Sequence, residues 1–334
     1  MIKKVSPMEI VSGYEPSSIE RAVKLLRSSN VVVFPTETVY GLGADAFNPL
    51  AVAKIFEVKK RPHFDPLIVH IGDKDWIFRI AEHVPSSIVA LIDRFWPGPL
   101  TVIVRKRSIV PDIVTAGLPT VGIRMPSHPV ALSLIRTFGQ PIAAPSANPF
   151  SYMSPTKAEH VAKMFPAGLP LILDGGEAEF GIESTIVSVR NDALCIHRHG
   201  AVSSEEISQV SSAPLTAYGT GEKATCEAPG ELPYHYAPHK PLVLVNTQEE
   251  VLEARSSFLA FRKPTTKPLS RYVRILSDTG DMREAAARFF SCLIDLDRED
   301  IDLIYTERIP ESGLGKAMME RLRKAAQKRK HINH

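Results

Sequence analysis

Short apolar runs alternate with amphipathic stretches along most of this chain. Val31, Val32 and Val33 are consecutive β-branched residues and predict a buried strand. Pro35 cannot donate to a sheet ladder, so the strand should end there. Ahead of it Ile19, Ala22, Val23 and Leu26 recur at helical spacing, behind Ser17-Ser18-Ile19-Glu20, which has the spacing of a capping box. Asn48-Pro49 reads as an N-cap followed by proline at the first helical position. That helix carries Val52, Ile55 and Phe56 on one face and ends in Lys59-Lys60-Arg61-Pro62. Further strands are expected at 67–71, 100–104, 120–126, 142–144, 171–173, 183–189 and 194–196, with helices around 88–95 and 130–138. Helices mingled with consecutive and separated strands predict a mixed α/β sheet.

The pattern changes near residue 211. Residues 211–240 are rich in Pro, Gly, Ala, Ser and Thr, the composition of a linker or a functional loop. Beyond them, strands at 242–245, 258–261, 273–276 and 303–305 alternate with helices at 248–256, 282–296 and 314–326, as in a small parallel α/β unit. The expected division is a catalytic domain at 1–210, a linker at 211–240 and a second domain at 241–334. Inside the linker, Tyr234, His235 and Tyr236 have no core pattern of their own. Aromatic residues there need somewhere to pack, so 229–238 should fold back over the mouth of the first domain, stiffened by Pro229, Pro233 and Pro238.

Composition narrows the classes. Apolar residues make up 44% and charged residues 23%, as in ordinary globular proteins. A net charge of +3 without a long basic block does not indicate a dominant nucleic-acid grip. Arg321, Arg323, Lys324, Lys328, Arg329 and Lys330 could form an RNA-facing stripe; a solvated helix face followed by a frayed tail is the plainer reading. Cys195, Cys226 and Cys292 are widely spaced with no zinc pattern, which fits a reducing, cytoplasmic setting. No apolar run is long enough to span a bilayer. P-loop, dinucleotide, His-Glu-x-x-His and Gly-x-Ser-x-Gly motifs do not occur. His197 and His199 flank Arg198 on an apparent strand and read as a surface pair.

The candidate chemistry sits where buried strands emerge. Thr36-Glu37-Thr38 follows the first strand, and Gly41 and Gly43 allow a tight turn or close approach to a ligand. Lys59, Arg61, Arg124 and Arg198 each follow or end a buried element, with Lys59 and Arg61 expected to point outward. Hydroxyl-rich loops at 146–154 and 184–185 end neighbouring strands in the same way. Arginine forks match carboxylate and phosphate oxygens, so the set points to an anionic ligand such as a nucleotide, held without a P-loop.

These residues resemble the threonylcarbamoyl-AMP synthase family, the long form of the YrdC-like superfamily. The matching stretches are 35–45, Lys59-Lys60-Arg61, 66–71, Pro99-Leu100-Thr101, 120–126, 145–148 with Ser154-Pro155-Thr156, and 183–187. The long form is marked by His235-Tyr236-Ala237-Pro238, by Gly313-Leu314-Gly315-Lys316-Ala317 and by Arg321-Leu322. The resemblance implies a twisted mixed YrdC-like sheet with helices and a concave site, plus a smaller C-terminal parallel, Rossmann-like α/β domain. It also implies a reaction: threonine's amine captures carbon dioxide from bicarbonate, and the carbamate attacks the α-phosphorus of ATP as pyrophosphate leaves. Magnesium would accompany the triphosphate, with no protein ligand to it. A separate tRNA-modifying transferase would use the product on the adenosine beside the anticodon, and a weak contact with tRNA would fit that setting. Carried over residue by residue, Thr38, His70, Arg124, Ala144 and Ser184 would face threonine. Lys59, Arg61, Asp65, Thr120, Ser146, Asn148, Ser154, Arg198, His235 and Tyr236 would face ATP, with Lys59 and Arg61 positioning it and no protein nucleophile. Asp65 stands where the family usually has asparagine, and a carboxylate there would repel triphosphate unless magnesium or Arg61 intervenes. Two alternatives remain at this point: an RNA-binding module without ATP chemistry, and a carbamoyl-transfer enzyme of hydrogenase cofactor assembly. Three scattered cysteines do not match the cysteine fingers of the latter.

Overall fold

A computed structural model describes residues 8–165, 169–217, 227–232 and 235–331. The first sheet is built from β1 (Ile10–Ser12), β2 (Val32–Phe34), β3 (Gly41–Asp45), β4 (Ile68–His70), β5 (Leu100–Arg105), β6 (Thr120–Arg124), β7 (Ile142–Ala143), β8 (Ile172–Asp174), β9 (Thr185–Arg190), β10 (Ala193–Arg198) and β11 (Leu215–Ala217). Their order is β1-β8-β2-β3-β7-β4-β6-β5-β9-β10-β11. Pairing is mixed: β4–β6 and β5–β9 are parallel, whereas β2–β3, β3–β7 and β5–β6 are antiparallel.

Successive side chains of a strand point to opposite faces, so a continuous valine run needs cover on both sides. That cover exists. Val31 and Val33 pack with Val52, Ile55 and Phe56 of the helix Pro49–Lys59. Val32 and Phe34 pack on the other face with Val23 and Leu26 of the helix Pro16–Arg27 and with Leu134 of the helix Pro129–Phe138. Burying one such side chain fully contributes about 1.5–3 kcal/mol.

The second sheet is wholly parallel, with β12 (Leu242–Val245), β13 (Ser256–Ala260), β14 (Tyr272–Ile275) and β15 (Leu303–Glu307) in the order β12-β15-β13-β14. Helices Met282–Leu296 and Leu314–His331 accompany it. Its core includes Leu259, Phe289, Phe290 and Leu322, and also Val39, Met153, Ile182 and Tyr236 from before β12. One apolar cluster therefore joins the second sheet to the loops of the first.

Four local expectations are corrected. Ser17 does not cap its helix: Pro16 takes the first helical position, so the helix begins before Ser17 and Glu15 precedes it without a side-chain cap bond. Gly41 and Gly43 lie within β3 and make no turn, although Gly41 does line the cavity described below. A Cβ on Gly43 would stand 2.6 Å from the Phe34 ring and 2.7 Å from Ile142, so glycine there admits neighbouring side chains. Residues 248–256 form one 3-10 turn, Gln248–Glu250, before β13. Val251 is buried and Leu252 exposed, which leaves a helix there little apolar face to bury. The stretch after Ser211 is not structureless throughout, because β11 pairs in parallel with β10. Pro233, Tyr234 and Cys226 lie outside the described residues.

Candidate active site

The loop from β2 to β3 folds around the Thr36 hydroxyl. It accepts from the backbone N–H of Thr38 and Val39, each at 3.2 Å, and bonds the Val39 carbonyl at 2.6 Å. This turn aims Thr38 Oγ1 at Arg124, whose Nη1 donates to it at 2.8 Å. Arg124 ends β6 opposite His70, which ends the parallel strand β4, so the two emerge together. Arg124 is further fixed by Gly98 O at 3.3 Å and by Glu37, whose Oε1 lies 2.6 Å from Nη2. Burial pushes the His70 imidazole down to about 3, and the nearby Arg124 charge adds to this, while backbone oxygens of Ile68 and Ile142 oppose it. The ring is therefore neutral, and its Nδ1 is buried without a hydrogen-bond partner among the described residues. Ala144 follows β7 and is pinned to β4 by its N–H on Ile68 O.

The helix Pro49–Lys59 ends with Lys60 in the left-handed conformation, and the Arg61 N–H returns to Phe56 O at 3.0 Å. This reversal turns Lys59 and Arg61 inward, contrary to the expectation that both would point outward. Lys59 is 2% exposed and Arg61 7%. Lys59 Nζ donates to Ser146 O at 2.6 Å, to Asn148 O and to Asn148 Oδ1 at 3.3 Å. Burial pushes its ammonium well below the usual range, and the Arg61 charge adds to this. Arg61 Nη2 meets Asp65 Oδ1 at 2.8 Å and Pro66 O at 2.8 Å. Burial raises the Asp65 carboxyl, against the pull of Arg61 and Lys59. Asp65 thus faces Arg61, the intervention its position calls for. Ser146 Oγ donates to Asn148 Oδ1 at 2.5 Å, and Asn148 Nδ2 holds Tyr152 O at 2.7 Å.

Arg198 ends β10 just past a register shift, and donates to Ser184 O at 3.0 and 3.1 Å, to Ser184 Oγ at 3.1 Å and to Pro229 O at 3.2 Å. The same irregularity overturns the reading of His197 as a surface residue. His197 is buried, with Nε2 2.8 Å from Ser188 Oγ and Nδ1 2.9 Å from Glu231 Oε1. This chain of bonds fastens the linker to β9 and β10.

Thr38, His70, Arg124, Ala144 and Ser184 line one cavity of about 50 Å3. Arg61, Ser146, Arg198, His235 and Tyr236 line it too. Lys59, Asp65, Asn148 and Ser154 stand behind its wall. Thr120 lines a neighbouring crevice of about 10 Å3 that shares Ile68 and Pro229 with the cavity. Pro229 and Gly230 complete the lining from the linker. His235 packs edge-on to Phe150 at 6.1 Å, Tyr236 lies 5.8 Å from Phe290, and the Ala237 N–H bonds Ser151 O at 2.9 Å. Burial pushes the His235 imidazole well below its usual range and the Tyr236 phenol up to about 12.

Sequence reasoning missed four groups that shape this site: Glu37 behind Arg124, Glu183 in the wall, Arg321 behind Glu183, and Asp297. Asp297 accepts from Tyr152 Oη at 2.7 Å and from the N–H groups of His239 and Lys240 at 2.8 and 3.0 Å. Glu37 gave a local signal, as the lone carboxylate among the hydroxyls of its loop; Arg321 and Glu183 stood in stretches that match the family, with no role assigned to either. The supposed basic stripe dissolves where its side chains are described: Arg321 is 1% exposed, Arg323 pairs with Glu311, and Lys324 bonds Gly230 O and Glu320.

Comparison with known proteins agrees with this architecture. Residues 24–200 match the family described as Telomere recombination, and residues 202–327 match that described as Threonylcarbamoyl-AMP synthase, C-terminal domain. The threonylcarbamoyl-AMP synthase of Bacillus subtilis is 40% identical, over 92% of this chain and 92% of that protein. That of Pyrococcus abyssi is 39% identical, over 93% and 95%. The crystal structure of P. abyssi Sua5 complexed with L-threonine aligns with a TM-score of 0.86 and 36% identity, over 97% of each chain.

Proposed function

The chain belongs to the threonylcarbamoyl-AMP synthase family, and we propose that the cavity is where it makes threonylcarbamoyl-AMP from L-threonine, bicarbonate or carbon dioxide, and ATP, releasing pyrophosphate. The observation that carries this reading is Arg124, held on three sides by Glu37, Thr38 and Gly98 at a cavity whose other walls carry Arg61 and Arg198. A rigid fork suits the carboxylate of threonine, and the second pair of cations suits phosphate oxygens.

Each residue's task then follows from its surroundings. Thr38 and Arg124 take the amino acid's carboxylate end. Neutral His70 offers Nδ1 as an acceptor, and Ser184 offers its hydroxyl, to the amino and hydroxyl groups. Arg61, Ser146 and Arg198 take the phosphates, with Lys59 and Asn148 setting the shape of the loop behind Ser146. The carbamate oxygen attacks the α-phosphorus and pyrophosphate leaves, a step that needs alignment and charge neutralisation and no protein nucleophile. Pro229, Gly230, His235 and Tyr236 exclude water from two labile species, the carbamate and the mixed anhydride. We place residues 229–238 as a lid, between a catalytic domain ending near 210 and a second domain beginning near 241.

Magnesium would enter with the triphosphate. The nearby carboxylates Asp65 and Glu183 face Arg61 and Arg321. The product would pass to a separate tRNA-modifying transferase. No helix among the described residues is long and apolar enough to cross a membrane, which accords with a cytoplasmic setting.

The test is direct. With ATP present, pyrophosphate release should require threonine and bicarbonate together and should yield a labile adenylate. Equal release without threonine would make this a plain nucleotide hydrolase and end the assignment.

A further inference from the structure

Arg321 lies on the helix Leu314–His331, beyond the second sheet, yet its guanidinium is sunk into the wall of the cavity. Its Nε donates to Glu183 Oε2 at 2.6 Å, and its Nη1 donates to His199 O at 2.9 Å and Ala317 O at 2.8 Å. The guanidinium carbon stands 5.2 Å from the centre of the Tyr236 ring. Glu183 and Tyr236 both line the cavity. The other oxygen of Glu183 takes the Ser154 hydroxyl, and the next residue, Ser184, takes Arg198.

A carboxylate in a dry wall beside a triphosphate site is a liability. Burial alone would push the Glu183 carboxyl up, but Arg321 and Arg198 together hold it at about 2, so it is charged. Arg321 sits on it through Nε, while Nη1 is held by two carbonyls and Nη2 is buried without a hydrogen-bond partner among the described residues. Without Arg321, Glu183 would face the phosphates as a negative charge offset by Arg198 alone, or would take up a proton. Arg198 would then be drawn toward Glu183 and away from ligand.

We propose that Arg321 is a positioning residue for the nucleotide: the C-terminal helix completes the ATP pocket by neutralising Glu183 and seating Tyr236. This rests on the synthase reading above. It gives the second α/β unit a task in the reaction, because the pocket acquires its correct charge only when that unit is docked. The residue touches neither substrate, so its effect should fall on nucleotide affinity more than on threonine binding.

The experiment uses the full chain. Arg321→Met should raise the KM for ATP about tenfold or more, the order expected for losing one unit charge near the triphosphate at a protein-like dielectric. The Kd for threonine alone, measured by calorimetry, should stay within about twofold of the unsubstituted protein. The double variant Glu183→Gln/Arg321→Met removes both charges and should bring the ATP KM back to within about threefold. Arg321→Lys keeps the charge, and its ATP KM should also stay within about threefold; this variant decides the matter if Arg321→Met does not fold. The proposal is overturned if Arg321→Lys impairs ATP binding as much as Arg321→Met, if the double variant is not rescued, or if threonine affinity falls in step with ATP affinity. An unsubstituted protein with no threonine-dependent pyrophosphate release would instead overturn the synthase reading, so the two failures are distinct.

Discussion

Glu37 Oε1 lies 2.6 Å from Arg124 Nη2, and both side chains are buried. Neither oxygen of Glu37 has a donor meeting hydrogen-bond geometry among the described residues, so the guanidinium is its charge partner. On the proposed reading, the pair sets the edge of the fork that Arg124 would present to threonine. Arg124→Lys keeps the charge and loses the fork, and should raise the half-saturation constant for threonine much more than that for ATP. Glu37→Gln removes the tether. Breaking a buried pair costs on the order of 3–5 kcal/mol, so the melting temperature should fall and threonine binding should weaken. Tighter threonine binding in Glu37→Gln would mean that Glu37 competes with the substrate carboxylate for Arg124.

Lys59 and Arg61 act from inside the wall, which changes what their removal should do. Lys59→Ala deprives Ser146 O, Asn148 O and Asn148 Oδ1 of one donor. Bonds to a charged donor contribute about 1.5–3 kcal/mol each, so stability and turnover should fall together, turnover by about a hundredfold or more. Arg61→Ala leaves Asp65 buried opposite a missing charge. Adding Asp65→Asn should recover much of the lost stability in a urea melt without restoring turnover, because the phosphate contact is still missing. Recovery of both would make Arg61 a purely structural residue.

Acid should weaken the fold through its buried histidines. His70 is held neutral down to about 3 in the folded chain, whereas in the unfolded chain it takes a proton near 6.5. Between those values the unfolded state binds more protons, so stability is fully present above about 6.5 and declines as pH falls toward 3. The slope from one such group approaches about 1.4 kcal/mol per pH unit. His235, also lowered by burial, acts in the same direction. Glu183 adds a loss at lower pH, from its ordinary value of 4.5 down to about 2. Urea melts at pH 7, 6, 5 and 4 should show this decline, and His70→Gln should flatten it. Equal slopes in the two proteins would place the acid sensitivity elsewhere.

The parts of the fold that were legible in the sequence are those where local pattern and tertiary demand coincide. Val31–Val33 is apolar at every position and both faces are covered; Met282–Leu296 is amphipathic and begins after an Asp281 cap. β3 was not legible, because Gly41 and Gly43 weaken strand propensity and serve close packing against Phe34 instead. The site was legible as a set of residue types at strand ends. Its wiring was not. Arg321 and Glu183 stand 138 residues apart and Arg124 and Thr38 86 apart, and no local spacing encodes such pairs. A left-handed Lys60 and the shift between Ile196 and Arg198 decide whether Lys59, Arg61 and His197 face inward, and neither has a periodic signature.

The linker gives the last prediction. Pro229, Gly230, His235 and Tyr236 form part of the wall of a cavity of about 50 Å3, small beside threonine and ATP together. On the proposed reading the linker lifts to admit substrate and settles again over it. Its seating depends on Gly230, which adopts φ 89° beside Tyr236; a Cβ there would come 2.5 Å from the Tyr236 hydroxyl. Gly230→Ala combines left-handed strain with that collision, and should hold the linker away while the rest of the chain stays folded. The bound adenylate would then meet water. The readout is the ratio of intact threonylcarbamoyl-AMP to pyrophosphate released, which should be near one for the unsubstituted protein and distinctly lower for Gly230→Ala. Turnover counted by pyrophosphate should persist, because Arg61, Arg124 and Arg198 are untouched. An unchanged ratio in a folded Gly230→Ala protein would make the segment a spacer that happens to rest on the site.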